Sequence, residues 1–274
     1  MHELNASAGS FSQRGPIMAI GGAEDKLDDK IILSTFAQLA GGKSARIAIM
    51  PTASSIETAG ERYKAIFLGL GVENADVVYI ADRDDANGAA PIELLESATG
   101  IFLTGGNQMR LSAIIGGSAA AKMIKTRNQS GAIVAGTSAG ASILSSHMVA
   151  FGASGATPRQ RMAQMVAGFG LAPDMIIDQH FRQRDRIGRL LSLVAFNPGL
   201  LGIGIDEDTA ALIGGDGVME VIGRNSITIV DGASMYSNGF EVKGHGGITI
   251  SGAKLHVLTA GRRFDLNERK LIDR

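Results

Sequence analysis

Residues 131–145 read Gly-Ala-Ile-Val-Ala-Gly-Thr-Ser-Ala-Gly-Ala-Ser-Ile-Leu-Ser, a short apolar run that breaks into small residues and resumes with helix-compatible spacing. The pattern predicts a strand, a sharp turn and a helix. Gly136, Ser138 and Gly140 fit the G-x-S-x-G elbow, in which small neighbours let the chain bend tightly enough to present the serine hydroxyl at the strand's carboxyl end. Ser138 is therefore the candidate nucleophile. A serine hydroxyl attacks well only when a base removes its proton, so the reading demands a histidine and a carboxylate elsewhere in the chain. The alternative is a Gly-rich strand-to-helix turn in which the serine only caps the helix.

Working outward, the same pattern recurs upstream. An apolar run at 16–20 ends in Gly21-Gly22 and leads to an amphipathic stretch at 28–39. A run at 45–50 stops at Pro51 before 57–70, another at 76–80 precedes a polar loop and 92–97, and 101–104 meets Gly105-Gly106 before a helix from about Gln108. Short β-rich runs alternating with helical patterns predict an α/β fold: a mainly parallel sheet with helices on both faces and ligands at the carboxyl ends of the strands. Gly21-Gly22, residues 52–55, Gly105-Gly106 and Ser138 would gather there. Past residue 210, short strands separated by Gly pairs predict an antiparallel C-terminal extension of the same domain. The expected organisation is a flexible N-terminus at 1–15 and a single α/β catalytic domain at 16–274.

Downstream of the elbow, 151–165 mixes glycine, proline and arginine and reads as an irregular loop leading into an apolar run at 171–177. The segment from Asp178 to Arg186, DQHFRQRDR, then ends that run at a histidine and starts a helix dense in arginine. A lone histidine is ordinarily a partly buried, satisfied side chain, but His180 stands just past a predicted strand and is the candidate base. His2 lies in the polar start and His245 and His256 in a late hairpin-like region, while His147, near the far end of the elbow helix, is the competitor. The acid belongs at another strand end, where 201–205 runs into Asp206-Glu207-Asp208. Neighbouring strand residues point to opposite faces, so Glu207 and the pair Asp206 and Asp208 cannot all face the histidine. Glu207 is the choice, although spacing alone does not select the face. The other readings of the trio are a solvated loop or a cation site, and no complementary His or Asp cluster accompanies it; no metal or cofactor is expected.

Composition excludes several classes. The chain of 274 residues is 45% hydrophobic and 19% charged, enough to bury a sizeable core. Its 26 Lys and Arg against 27 Asp and Glu leave a net charge of -1, with no whole-molecule field to attract nucleic acid or anionic membrane. There is no cysteine, which removes disulfides, thiolate metal sites and cysteine nucleophiles. The first residues lack the features of a secretory signal and no later apolar run is long enough to span a bilayer, so a cytoplasmic protein is expected. The 37 glycines fit many tight βα turns.

Chain order narrows the class further. Nucleophile, histidine and acid follow one another, whereas α/β-hydrolases run serine, acid, histidine. Five motifs, GGAEDK at 21–26, FLTGGNQ at 102–108, GTSAGAS at 136–142, DQHFRQRDRIGRL at 178–190 and GIGIDEDTA at 202–210, occur in this order. Together they resemble the cyanophycinases, within the serine peptidase family that also contains peptidase E, or α-aspartyl dipeptidase. The arginine-rich DQHF segment and the length after the acidic loop look like the cyanophycinase branch.

The resemblance implies a class I glutamine amidotransferase-like fold and a homodimer. It also implies attack by Ser138, proton shuttling by His180, orientation of the imidazole by Glu207, and backbone N–H groups of Gly105 and Ala139 for the oxyanion. The implied substrate is cyanophycin, a poly-aspartate backbone carrying arginine in amide linkage on each β-carboxyl, and the implied product is the β-Asp-Arg dipeptide. Substrate carboxylates suit guanidinium groups, which bind them through two parallel hydrogen bonds, and the family's contacting positions align with Arg184, Arg186 and Arg189. On a continuous helix Arg182, Arg186 and Arg189 share a face and Arg184 projects about 160 to 200 degrees from Arg182 and Arg186, so they cannot all grip one group; Arg184 and Arg189 are the favoured binders, and the alternative is that some of these arginines only form a solvated, salt-bridged face with Asp185. For the substrate's own guanidinium groups the nearest candidates are Asp178, Gln179, Asn107 and Gln108. Glu24, Asp25, Ser54 and Ser55 stand where they could line the pocket or cap helices, and capping is the expected role. The competing functions are a dipeptidase for aspartyl or isoaspartyl peptides and a catalytically silent protein that holds acidic peptides.

Overall fold

A computed structural model describes residues 14–272; all but the last two residues of the expected flexible start, with His2, lie outside them. The N-terminal half alternates as the apolar pattern predicts. Strand β1 (Ile17–Ile20) is followed by α1 (Ile31–Leu39), β2 (Arg46–Met50), α2 (Ala59–Gly69), β3 (Asn74–Val77), α3 (Ala89–Ser97), β4 (Gly100–Leu103), α4 (Gln108–Ile115), α5 (Ala119–Gln129) and β5 (Ile133–Thr137). These strands pair in parallel in the order β1-β5-β4-β2-β3. Side chains alternate across a strand, and the two resulting faces are both covered. Met18, Ile20, Ile47, Ile49, Phe102 and Ile133 pack against Phe36 of α1 and Tyr63 and Phe67 of α2. Ile17, Ala19, Met50, Ile101, Leu103 and Val134 pack against Leu95, Leu111 and Ile124 of α3, α4 and α5. Runs buried on both faces explain why β1, β2, β4 and β5 read as nearly unbroken apolar segments, while the edge strand β3 alternates exposed and buried residues.

The rest of the chain supplies α6 (Ala139–Ser142), β6 (His147–Gly152), β7 (Ala163–Ala167), β8 (Met175–Asp178), α7 (Ile187–Phe196), β9 (Leu201–Ile205), β10 (Thr209–Ile213), β11 (Val218–Gly223), β12 (Ser226–Asp231), β13 (Tyr236–Ser237), β14 (Ile250–Ser251), β15 (Lys254–Thr259), β16 (Arg263–Asp265) and β17 (Lys270–Ile272). β10, β11, β16 and β17 extend the first sheet antiparallel from the β1 edge, giving nine strands. Where one sheet was expected for the catalytic strands, the chain builds two. β8 and β9 run parallel in a separate sheet of order β15-β12-β9-β8. Ile203 and Ile205 of β9 join the first sheet's core. On the opposite face of β9, a β-carbon at Gly202 would stand 2.8 Å from Val194, which is how closely α7 lies on this sheet.

Two further expectations are corrected. The segment 151–165 is not wholly irregular: β6 and β7 pair antiparallel across it, with a register shift between Val149 and Phe151. His147 opens β6 instead of closing the elbow helix, which ends at Ser142 after four residues. The arginine-rich segment is also not one helix. A 3-10 turn at Arg182–Arg184 ends at Asp185, whose left-handed backbone (φ 47°) breaks the chain before α7 begins at Ile187.

That break turns Arg186 and Arg189 inward. Arg189 donates through Nε to Asp178 Oδ2 at 2.6 Å and through a second nitrogen to Oδ1, while Arg186 reaches Oδ1 at 3.4 Å and also donates to the Gln179 carbonyl. Asp178 is 1% exposed, Arg186 7% and Arg189 4%. Burial lowers the Arg186 guanidinium to about 10, against the opposing pull of Asp178, so it stays a cation at neutral pH. A buried carboxylate held by two guanidiniums thus clamps the end of β8 to α7. Removing one member of such a group leaves uncompensated buried charge, at a cost of about 3 to 5 kcal/mol. Urea unfolding of Asp178→Asn is expected to show a loss of that size; a loss below about 1 kcal/mol, the scale of an exposed pair, would contradict the clamp.

Candidate active site

β5 ends fully buried at Thr137, and the chain reverses at Ser138 with φ 54° and ψ -112° before α6. A side chain in this region costs of order 1 to 3 kcal/mol. The surrounding backbone holds it there: Ser138 N donates to Ile20 O at 3.0 Å, and Ser138 O accepts from Ala141 N at 3.0 Å and Ser142 N at 3.1 Å. Unlike its buried neighbours, Ser138 is partly exposed.

The second sheet delivers the partners. His180 follows β8, itself at φ 46°, with its N–H donating to Gly21 O at 2.8 Å. Its Nε2 lies 2.9 Å from Ser138 Oγ and its Nδ1 2.7 Å from Glu207 Oε1. A carboxylate only accepts, so Nδ1 carries the proton and Nε2 offers its lone pair to the serine hydroxyl. Burial pushes the imidazole below its ordinary value of 6.5; the hydrogen bond to Glu207 opposes this, and the charges of Arg184 and Arg186 reinforce it. The ring is therefore neutral near pH 7, the state a general base requires.

Geometry separates the acidic trio that spacing left open. Asp206 is buried, accepting from Arg182 N at 3.1 Å and Ser226 Oγ at 2.9 Å. Asp208 accepts from Asp25 N at 2.8 Å and pairs with Arg224 at 3.5 Å. Glu207 alone of the three reaches His180. Its backbone is fixed by Gln183 Oε1, which accepts from Glu207 N at 3.1 Å, and by Asn225 Nδ2, which donates to Glu207 O at 2.8 Å. Gln183 and Asn225 carried no signal in the sequence, because their role exists only once β8 and β12 are paired on either side of β9. Among the described residues no group of three or more His, Cys, Asp or Glu side chains is placed to hold a metal ion.

Room for the histidine comes from the turn after β1. A β-carbon on Gly22, at φ 97°, would sit 2.3 Å from His180 Cε1, and one on Gly21 would sit 2.0 Å from the Asp206 carbonyl oxygen. Behind Ser138 stands Glu24, 3% exposed, which accepts from Thr137 Oγ1 at 2.6 Å and from the Tyr63 hydroxyl and pairs with Lys26 at 3.0 Å. It does not cap a helix as expected; it ties the residue before Ser138 to α2. Asp25 does act on backbone N–H groups, those of Leu27, Asp28 and Lys30 at 2.9 to 3.0 Å. Ser54 accepts from Ile56 N at 3.0 Å within its own turn.

The remaining expected site residues divide into three groups. Gly105 lies against the nucleophile, since a β-carbon there would stand 3.8 Å from Ser138 Oγ, and Ala139 opens α6 directly after it. Gln179 brings Oε1 to 3.5 Å from Ser138 Oγ. Arg184 is exposed on the 3-10 turn. By contrast, Asn107 is occupied as the N-cap of α4, accepting from Met109 N and Arg110 N, and Gln108 donates to Ala150 O at 2.7 Å. Asp178, Arg186 and Arg189 pair with one another in the interior, although the buried Arg186 Nε finds no hydrogen-bond partner.

Comparison with known proteins places this geometry. The profile described as Peptidase family S51 matches residues 17–221. The cyanophycinase of Trichormus variabilis is 41% identical over 259 residues, covering 93% of this chain and 87% of that protein. The cyanophycinase of Geminocystis herdmanii is 41% identical over 255 residues, covering 92% and 94%. A crystal structure of a peptidase from an acI-B1 Actinobacterium superposes with a TM-score of 0.68 at 22% identity, over 93% of this chain and 98% of that one, a likeness of fold. Since the matched span runs from β1 through the elbow and the acidic loop, the chain belongs to peptidase family S51 and is a serine-type peptidase.

Proposed function

We propose that this peptidase degrades cyanophycin, releasing β-Asp-Arg dipeptides through a covalent intermediate on Ser138. The observation that carries the reading is the continuous hydrogen-bonded line from Ser138 Oγ through His180 to Glu207, in a chain about as similar to cyanophycinases over nearly its whole length. Ser138 Oγ attacks the scissile backbone carbonyl as its proton passes to His180 Nε2. The negative charge on the former carbonyl oxygen is met by the N–H groups of Gly105 and Ala139; one such donor is worth about 3 to 4 kcal/mol in the transition state. Glu207 stays ionised and stabilises the imidazolium. As the tetrahedral adduct collapses, the C–N bond breaks and the departing amine takes the proton from His180. Water then attacks the acyl-serine with His180 again as base, freeing the dipeptide and restoring the hydroxyl. Exposed Arg184 is the arginine of this segment left to meet a substrate carboxylate. The same reading makes the protein a cytoplasmic homodimer; no helix among the described residues is long and apolar enough to cross a membrane.

Incubation of wild-type and Ser138→Ala protein with insoluble cyanophycin, followed by mass spectrometry, is expected to show β-Asp-Arg from the wild type and a rate at least about 10³-fold lower from the variant. Cleavage of isoaspartyl dipeptides only would make the protein a dipeptidase, and equal release by both proteins would sink the serine mechanism. Because the folded-state histidine is held below 6.5, the acid limb of kcat/KM is expected below the ordinary imidazole range. Arg184 disfavours the imidazolium, so Arg184→Gln raises that pKa and moves the limb to higher pH; a limb that stays put or falls contradicts the assignment. Gly22→Ala forces the ring off its position and is expected to lower kcat by about 10²-fold, the scale of an ångström-sized misplacement. The circular dichroism of that variant should stay native; full activity would show the ring has room to spare.

A further inference from the structure

A crevice opens beside the Gly105-Gly106 turn. It has a volume of about 360 Å³ and is lined by Thr52, Ser55, Glu57, Tyr79 and Arg110, above the carboxyl ends of β2 and β3. Thr52 is 4% exposed and its Oγ1 finds no hydrogen-bond partner. A buried hydroxyl left unpaired is destabilising, and a ligand atom in the crevice would relieve that. Arg110 and Glu57 are exposed, and neither has an ion-pair partner among the described residues. Tyr79 is 59% exposed with its hydroxyl 3.0 Å from Glu61, so a ring lies open beside two carboxylates. One wall therefore offers a free cation, a free anion, an aromatic surface and an unsatisfied hydroxyl.

The crevice and the nucleophile share a wall. Asn107 N donates to Ala53 O at 2.8 Å, a β-carbon on Gly106 would fall 2.0 Å from that same oxygen, and Gly105 lies against Ser138. In the order β5-β4-β2-β3, the crevice begins two strands from the elbow, or about 10 Å at the usual spacing between strands. The substrate of the proposed function carries a group of matching reach. Its arginine guanidinium is separated from the aspartate α-carbon by roughly nine bonds, about 11 Å when extended at the pitch of a backbone. That arginine also keeps a free α-carboxylate, so it presents both charges.

We propose that this crevice is the subsite for the arginine unit of the substrate. The Glu57 carboxylate pairs with the guanidinium beside the Tyr79 ring, and Arg110 with the Thr52 hydroxyl takes the α-carboxylate. The inference rests on the cyanophycin reading, and it makes the site selective for a zwitterionic branch over a neutral one.

The test is calorimetric binding of β-Asp-Arg and β-Asp-Ala to the full chain carrying Ser138→Ala, alone and with Glu57→Gln or Arg110→Gln added, beside polymer turnover by the wild type. Glu57→Gln is expected to weaken β-Asp-Arg by about ten- to a hundredfold, as loss of a charge-assisted hydrogen bond does, and to erase the preference over β-Asp-Ala. Arg110→Gln is expected to weaken both dipeptides, since both keep the α-carboxylate. Unchanged β-Asp-Arg affinity in both variants overturns the subsite, and if the wild type still degrades the polymer the cyanophycin reading survives it. An inactive wild type whose β-Asp-Arg affinity still falls in both variants would overturn the cyanophycin reading and keep the subsite.

Discussion

The site depends on the space left by two absent side chains at Gly21 and Gly22. The first sheet carries Ser138 and the second carries His180 and Glu207, and the turn after β1 is where they meet. Gly22 leaves room for the imidazole and Gly21 for the Asp206 carbonyl, while their own backbone groups bond outward: Gly21 N to Thr209 O at 2.9 Å, Gly21 O to His180 N at 2.8 Å, and Gly22 O to Asp208 N at 2.9 Å. A side chain at Gly21 would run into the Asp206 backbone and one at Gly22 into the imidazole itself, and a serine and histidine 2.9 Å apart tolerate neither.

Two buried carboxylates hold what this junction brings together. Asp178, with its pair of guanidiniums, fixes the strand end that leads to His180. Glu24 fixes Thr137, the last residue before Ser138, against α2. Neither touches the reacting atoms. Buried ionic groups add little net stability compared with apolar packing, because desolvation offsets their attraction. What they supply here is position, and the backbone they position is strained: Ser138, His180 and Asp208 all have positive φ.

The parallel half of the fold was legible because its inner strands are buried on both faces and punctuated by glycine and proline, so local pattern and final environment coincide. The elbow was legible for the same reason, and the order of serine, histidine and acid separated it from the hydrolase arrangement. The second sheet was not legible, since a strand's apolar pattern records that it is buried and not which sheet buries it. The arginines from 182 to 189 misled for a local reason: helical periodicity assumed an unbroken helix, and the left-handed Asp185 rotates everything after it. Glu24 lies beside Asp25 in the same motif, yet one is buried under the elbow and the other caps a surface turn. Nothing in their one-residue separation distinguishes those fates.

Because β9 is secured by β12, the acidic loop depends on residues made well after it. Asn225 holds the Glu207 carbonyl and Ser226 holds Asp206. During synthesis, a chain that has emerged only as far as Ala210 contains Ser138, His180 and Glu207 without the strand that registers them. The hydrogen-bonded line from Ser138 through His180 to Glu207 is thus registered late, by a segment that contributes no member of it.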